Sequence, residues 1–459
     1  MGNRLGQHAV VVGGSLAGLM TARVLADHFD AVTVLERDPI ELQPVLHKSI
    51  PQGHHLHGLL LGGQQVMASL YPGFLDQLDA LGAVRCRIGQ ELAYYLPTGK
   101  AFSITGTVRE PRDLGFDITC HSRGLLEHCV RQCTLAQTNV MFHSASSVHG
   151  LIYENGHVCG VRHGQSGEAH TMAADFVVDA SGRRSQAPRW LTDLGFPAPE
   201  ETKIGVDIAY ASTKFRLPAA YDEPERLLIC FGPPPDFPSG GIMALTENNI
   251  WHVTLVGRFG AYPPHDEAGF FAFAKSLYTP KLYDLIQDAE RVTEITAYRF
   301  PTSVQRHYER LTTFPDRFVV LGDAISSFNP VYGQGMSSAA LQVQALQQLL
   351  TERAIGAQGL EGLAQSFFPK AAEIIATPWT LAAIQDWAYP QTQGERPADL
   401  EEVAQYLAAL DALTAEDVEV HRLMVDVFNL VKPLSALYEE PWRHRVLARQ
   451  RTACAILDG

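Results

Sequence analysis

Apolar residues near the start of the chain fall into two short runs separated by a helical stripe. Ala9–Val12 is uninterrupted apolar sequence, the pattern of a strand buried on both faces. Leu16, Leu19, Met20 and Val24 follow at helical spacing, and Ala31–Leu35 is a second apolar run. Phe176–Asp179 and Arg317–Leu321 repeat the buried-strand pattern far along the chain, each ending at a carboxylate or a glycine. Met336, Ala339, Ala340, Val343, Leu346 and Leu350 mark another helix, and Ser122 is placed to cap one that runs to about Gln137. Val140–Phe142, Ser147–Tyr153 and His157–Arg162 read as a strand meander turning at Glu154-Asn155-Gly156. Ala83–Ile104 predicts paired strands turning at Pro97-Thr98-Gly99-Lys100. From Lys203 to Thr302 the strands lengthen and alternate, with Ile242–Thr246 and Trp251–Val256 joined by Glu247-Asn248-Asn249. Beyond about Gly362 the pattern is helical.

The junction between the first strand and the first helix carries chemistry. Gly13, Ser15 and Gly18 occupy the three small-residue positions of a dinucleotide-binding turn, and Glu36 ends the second strand about twenty residues on. Free N–H groups and a partial positive charge at the helix start suit a pyrophosphate, and a strand-end carboxylate suits a ribose hydroxyl. Ser15 stands where such turns carry glycine, which leaves less room for the phosphate. Glu36 favours an unphosphorylated ribose, so this turn fits the adenosine half of FAD or NAD.

With 459 residues and 46% hydrophobic composition, the chain can form two or three domains. A formal charge of −14 argues against nucleic-acid partners and against anionic lipid. No apolar run is long enough to span a bilayer, and the first strand begins too early for a signal peptide. The seven cysteines form no framework, and Cys129 and Cys133 lack the companions of a zinc site. A cytoplasmic protein is expected. His47, His54, His55 and His57 crowd one loop without acidic residues, so contact with cofactor or substrate, or ordinary loop polarity, is expected there rather than a metal.

A second constellation separates FAD from NAD. Gly322-Asp323 ends a buried strand, and Pro330, Gly333, Gln334 and Gly335 precede the Met336 helix. A carboxylate there can take the ribityl hydroxyls of a longer cofactor, and the helix N-terminus can face a flavin edge that becomes negative on reduction.

The segments GGSLAGL, Glu36-Arg37, SRGLLEHCVR, VVDASGRRS and VVLGDAISSFNPVYGQGMSSA together resemble the group A FAD-dependent monooxygenases, the aromatic hydroxylases and epoxidases, over roughly the first 350 residues. PQGHHLHGLLLGG resembles the bacterial polyether-epoxidase branch, related to squalene epoxidase. The resemblance implies an α/β fold with a Rossmann-like FAD-binding domain of glutathione-reductase type, an inserted mixed β-sheet substrate domain and a helical C-terminal region. It implies cofactor contacts at Gly13, Ser15, Leu16, Ala17, Gly18, Glu36, Arg37, Arg123, Val148, Asp179, Gly182, Gly322, Asp323, Pro330, Gly333, Gln334, Gly335 and Met336. Ala180-Ser181 before Gly182 departs from the family pattern, as Ser15 does. NADPH or NADH is implied as a transient donor, held on the surface near Arg183 and Arg184, and O2 as the oxygen source through a flavin C4a-hydroperoxide. His57, Tyr94, Tyr95 and Trp251 are candidate substrate contacts, and no catalytic residue is assigned.

The expected division is 1–82, 120–199 and 303–355 for the FAD-binding domain, 83–119 and 200–302 for the substrate domain, and 356–459 for the C-terminal helices. The activity implied is insertion of one oxygen atom into an aromatic or polyene small molecule. A flavin-dependent double-bond reductase and a lipid carrier without catalysis remain open on the same fold. A halogenase would be expected to carry a WxWxIP segment, which this chain does not have.

Overall fold

The computed structural model describes residues 4–39, 51–165, 168–218, 221 and 223–457. Five parallel strands form the first sheet, in the spatial order Phe318–Val320, Phe176–Asp179, Gly6–Val12, Phe29–Leu35, Val140–His143. Their apolar runs are continuous because both faces are covered: the shared core takes in helix residues such as Leu19 and Val343 and the strand residues Leu151, Val158 and Val161. Val10, Val32, Val177 and Val319 are fully buried, and Leu16–Leu25 and Gly335–Ile355 pack with them in one core. Parallel strands share direction, so Val12, Leu35, Asp179 and Val320 end on the same edge of the sheet. An open α/β sheet binds its ligands outside that edge.

The second sheet is mostly antiparallel. Its path runs Ser326–Ser327, Thr296–Arg306, Glu201–Arg216, Ile250–Arg258, Gly240–Thr246, Leu227–Phe231, Leu92–Leu96, Gly99–Ala101. The expected hairpin forms between Gly240–Thr246 and Ile250–Arg258, and Asn248 and Asn249 take positive φ at its turn, which asparagine tolerates. Leu92–Leu96 pairs with Gly99–Ala101 as the sequence predicts. Val84–Arg87 does not join them: it pairs with Asp117–Cys120 and buries Cys86, Ile118 and Cys120 in a separate cluster. The expected boundaries at 119 and 302 fall inside the strands Asp117–Cys120 and Thr296–Arg306.

Three antiparallel strands, Ser147–Glu154, His157–Gly164 and His170–Ala173, flank the first sheet. The C-terminal helices Leu363–Asp386, Leu400–Thr414, Val418–Phe428 and Trp442–Leu457 follow, and a core around Leu410, Val420 and Leu437 joins them. No helix among the described residues is long and apolar enough to cross a membrane.

Candidate functional site

A cavity of about 620 Å³ opens along the strand ends and runs to the face of the second sheet. Gly13, Ser15, Leu16 and Ala17 line its start. Gly13 has φ +102°, and a Cβ there would sit 2.6 Å from the Ala180 carbonyl. Gly18 does not line the cavity: a Cβ on it would lie 1.8 Å from the Gly13 oxygen, so its part is to let helix and strand close up. Leu16 opens the helix, so unsatisfied N–H groups of its first turn border the cavity.

Ser15 makes no helix-capping bond with its side chain. Its hydroxyl donates to Glu127 Oε1 at 2.5 Å and accepts from Arg123 Nη2 at 3.0 Å. Arg123 also donates to Glu127 through Nε at 3.0 Å and Nη2 at 2.8 Å. Glu127 was not singled out in the sequence. The available signal was the helical i, i+4, i+8 spacing of Arg123, Glu127 and Arg131, which places all three on one face.

Glu36 lines the cavity and accepts the Gly14 N–H at 2.7 Å and the Asp38 N–H at 2.9 Å. A carboxylate offers about four lone-pair positions, so capacity for a hydroxyl donor remains. Arg37, Val148 and Gly182 also line the wall. Asp179 does not. Fully buried, it accepts the Ser181 N–H at 2.9 Å and the Ser185 hydroxyl at 2.5 Å, and so holds the turn that presents Gly182. Burial pushes its carboxyl above the usual range against the pull of those bonds.

At the far strand end, Asp323 lines the cavity and accepts no hydrogen bond from any described residue. Burial pushes its carboxyl up, while Arg123 and Arg183 draw it back toward ionisation. A desolvated carboxylate without donors is costly unless a ligand supplies them. Pro330, Gly333, Gly335 and Met336 line the adjoining wall. Gly322 and Gln334 do not: the Gly322 N–H is bonded to Gln342 Oε1 at 2.8 Å, and Gln334 Nε2 reaches the Phe428 carbonyl at 3.3 Å.

The sheet end is aromatic. Tyr210, Tyr298 and Phe328 line it with Ile242, Thr254 and Val256. His55 lies 5.6 Å from each tyrosine ring, and its Nδ1 is bonded to Ser212 Oγ at 2.7 Å. Its Nε2 is buried without a partner. Burial and then neighbouring His54 hold its pKa down to about 4, so the ring is neutral at pH 7. His57 lines the cavity, bonded through Nδ1 to the His55 carbonyl at 2.8 Å. Burial first and Arg123 second hold it down to about 3. His54 is exposed and His47 lies outside the described residues. No metal-holding group of three ligands occurs among the described residues.

Tyr94, Tyr95 and Trp251 do not line the cavity. Strand parity explains Trp251. Side chains alternate across a sheet, and Trp251, Val253 and Leu255 face the cluster of Phe215 and Phe270 while Thr254 and Val256 face the cavity. Tyr95 joins that same cluster. Tyr94 stands on a strand near the other end of the sheet and donates to the Phe231 carbonyl at 3.0 Å.

A parallel sheet with a helix-start turn, two strand-end carboxylates and one long cavity defines a dinucleotide-binding flavoprotein. The family described as FAD binding domain matches residues 124–367. Protein Rv3254 of Mycobacterium tuberculosis is 33% identical over 400 residues, which cover 84% of this chain and 82% of that protein. Kynurenine 3-monooxygenase of Salinispora arenicola is 28% identical over 373 residues, 76% of this chain and 73% of the enzyme. The solved structure of flavin-dependent brominase Bmp2 shares the fold, with a TM-score of 0.69 at 13% identity over 99% of each chain. This chain belongs to the FAD binding domain family and is a flavin-dependent oxidoreductase of the monooxygenase kind.

Proposed function

We propose that the protein hydroxylates an aromatic small molecule, using FAD seated along the strand ends and NADPH or NADH as the source of electrons. FAD supplies the redox chemistry and the activation of O2. Leu16 and Ala17 would offer N–H groups to its pyrophosphate, Glu36 would take the adenosine ribose, and Asp323 would receive ribityl hydroxyls. Arg123, oriented by Glu127 and Ser15, would add positive charge beside the phosphates. The loop from Pro330 to Gly335 would border the isoalloxazine.

The observation that carries the reading is the aromatic end of the cavity, which adjoins that loop and includes His55, whose buried Nε2 has no partner among the described residues. A ring can lie among Tyr210, Tyr298 and Phe328 while His55 bonds its polar substituent. Being neutral, His55 orients the substrate by a hydrogen bond and does not donate a charge. Closure by these aromatic walls keeps water from the reacting carbon.

The test is NADPH and NADH oxidation against a panel of phenols, quinolones and polyenes, with peroxide measured in parallel and products formed under labelled O2. One labelled oxygen in an aromatic product is the expected result. Label found solely in polyene products would replace hydroxylation with the epoxidation that the resemblance of residues 51–63 implies. Substrate reduction without label would make the protein a double-bond reductase.

A further inference from the structure

Three donors converge on one carboxylate oxygen beneath the loop that precedes Gly335. Asp386 Oδ1 accepts from Asn329 Nδ2 at 2.7 Å, from Tyr332 OH at 3.0 Å and from Arg258 Nη1 at 3.0 Å. Arg258 Nη2 also donates to Tyr332 OH at 3.3 Å, and Tyr210 OH donates to Asn329 Oδ1 at 3.3 Å. Asp386, Arg258 and Asn329 are buried. Asp386 ends the helix Leu363–Asp386, Arg258 ends the strand Ile250–Arg258, and Asn329 precedes the single turn Pro330–Tyr332.

The loop divides its residues between two sides. Pro330, Val331 and Gly333 line the cavity, whereas Asn329 and Tyr332 are bonded to Asp386 and do not line it. Asn329 Oδ1 also accepts the Val331 N–H at 3.2 Å, so the side chain gripped by Asp386 fixes the backbone that faces the cavity. No ladder of strand hydrogen bonds holds a segment this short, and a buried charged hub is the kind of contact that imposes one arrangement.

We infer that Asp386 is a positioning residue for the cofactor: it sets the Asn329–Gly333 loop and, through Asn329, the placement of Tyr210 at the aromatic end. The C-terminal helices thereby shape the cavity without lining it. A second tie acts at the other side of the same loop, where Gln334 Nε2 donates to the Phe428 carbonyl and the Leu61 N–H to Asn429 Oδ1. The inference rests on the proposed seat of FAD and holds for any oxygenation performed there.

The test compares Asp386→Ala, Asp386→Asn and Leu410→Ala with the wild type, as apoprotein and during FAD titration. Asp386→Ala is expected to weaken FAD binding at least about tenfold, displace the visible bands of bound flavin and speed amide exchange over residues 329–335 of the apoprotein. Asp386→Asn keeps the acceptor and the volume but not the charge, and should give the same changes at reduced size. Leu410→Ala removes buried volume from the C-terminal core and should leave the bands and the exchange at 329–335 unchanged. Wild-type affinity and spectrum in Asp386→Ala overturn the inference, as does their loss in Leu410→Ala. Where Asp386→Ala fails to fold, wild-type bands and affinity in Asp386→Asn overturn it. Asp323→Ala separates the two proposals. If that variant keeps its FAD, the proposed seat is wrong, while exchange at 329–335, read without FAD, still decides the role of Asp386.

Discussion

Ser15 Oγ donates to Glu127 Oε1 at 2.5 Å, joining the phosphate turn to a helix more than a hundred residues away. The same carboxylate holds Arg123, and both side chains are nearly buried. Removing one partner of a buried pair leaves the other charge unmatched, at a cost of about 3–5 kcal/mol. Glu127→Ala should therefore lower the denaturant midpoint of the apoprotein. The pyrophosphate of FAD can replace the lost anion beside Arg123. Excess FAD should consequently raise the midpoint more in the variant than in the wild type; an equal gain would place the phosphates away from Arg123.

Asp323 gives a trade between stability and binding. Its folded pKa is raised by burial, so the native apoprotein holds this proton more tightly than the unfolded chain does. Stability is then lost as pH climbs above the ordinary carboxylate range. Asp323→Asn should be more stable than the wild type as apoprotein at pH 7. Asp323→Ala should bind FAD roughly 10–100-fold more weakly, the loss of one charge-assisted hydrogen bond. Thermal scans of apoprotein and a fluorescence titration read the two effects separately.

The turn at Gly13 and the strand end before Asp323 are legible in the sequence because each depends on local structure, whereas Glu127 carries no such signal beyond its helical spacing. A fully buried parallel strand shows as an unbroken apolar run, and a turn that brings helix and strand together needs Gly13 and Gly18 wherever it occurs. Trp251 and Tyr94 were harder. Which face a strand residue takes depends on register with its neighbours, and hydrophobicity did not distinguish the core face from the cavity face. Asn329 lies in the segment VVLGDAISSFNPVYGQGMSSA without a role of its own there, Arg258 and Asp386 carry no motif, and the three meet only once three separate segments have folded. Arg184 and Arg183 looked alike in sequence, yet Arg183 donates to the Thr302 carbonyl at 2.7 Å and lies over the Phe300 ring at 4.1 Å.

That difference separates the two arginines as candidates to dock the proposed nicotinamide donor. Both arginines line the cavity, but Arg183 is held against Thr302 and Phe300 while Arg184 is exposed. Arg184→Ala is expected to slow anaerobic flavin reduction severalfold at low NADPH and to leave the rate at saturation unchanged. FAD content should stay normal. Stopped-flow rates equal to wild type at every NADPH concentration would move the docking site elsewhere.

Protonation of buried histidines should weaken the protein in mild acid. Burial and then the Arg112 charge hold His421 down to about 4, and His252 is held to about 3 chiefly by burial. Each takes up its proton more readily unfolded, so stability is intact above about pH 6.5 and lost as pH falls toward about 4. His421 lies in the C-terminal helices with neither ring nitrogen bonded. His421→Leu should raise stability at pH 7 by about 1–3 kcal/mol and reduce the fall between pH 7 and 5. Urea midpoints at the two pH values measure both.

His55→Phe tests the substrate end. The variant keeps a ring against Tyr210 and Tyr298 but loses the nitrogen, so binding of hydroxylated arenes should weaken roughly tenfold while their methyl ethers bind as before. Perturbation of the oxidised flavin spectrum on titration reports binding without turnover. Equal losses for both ligands would make His55 a packing residue.

Alternation along the second sheet has an evolutionary consequence. Tyr210, Ile242, Thr254 and Val256 look into the cavity, and Ala211, Met243, Val253 and Leu255, one step along the same strands, look into the core. A point substitution at the first set alters the cavity wall and leaves the second set, packed with Phe215 and Phe270, intact. Insertion or deletion of a single residue would exchange the two. Relatives on this scaffold can therefore diverge in substrate by changing every second letter of these three strands, while strand length is the property that selection must guard.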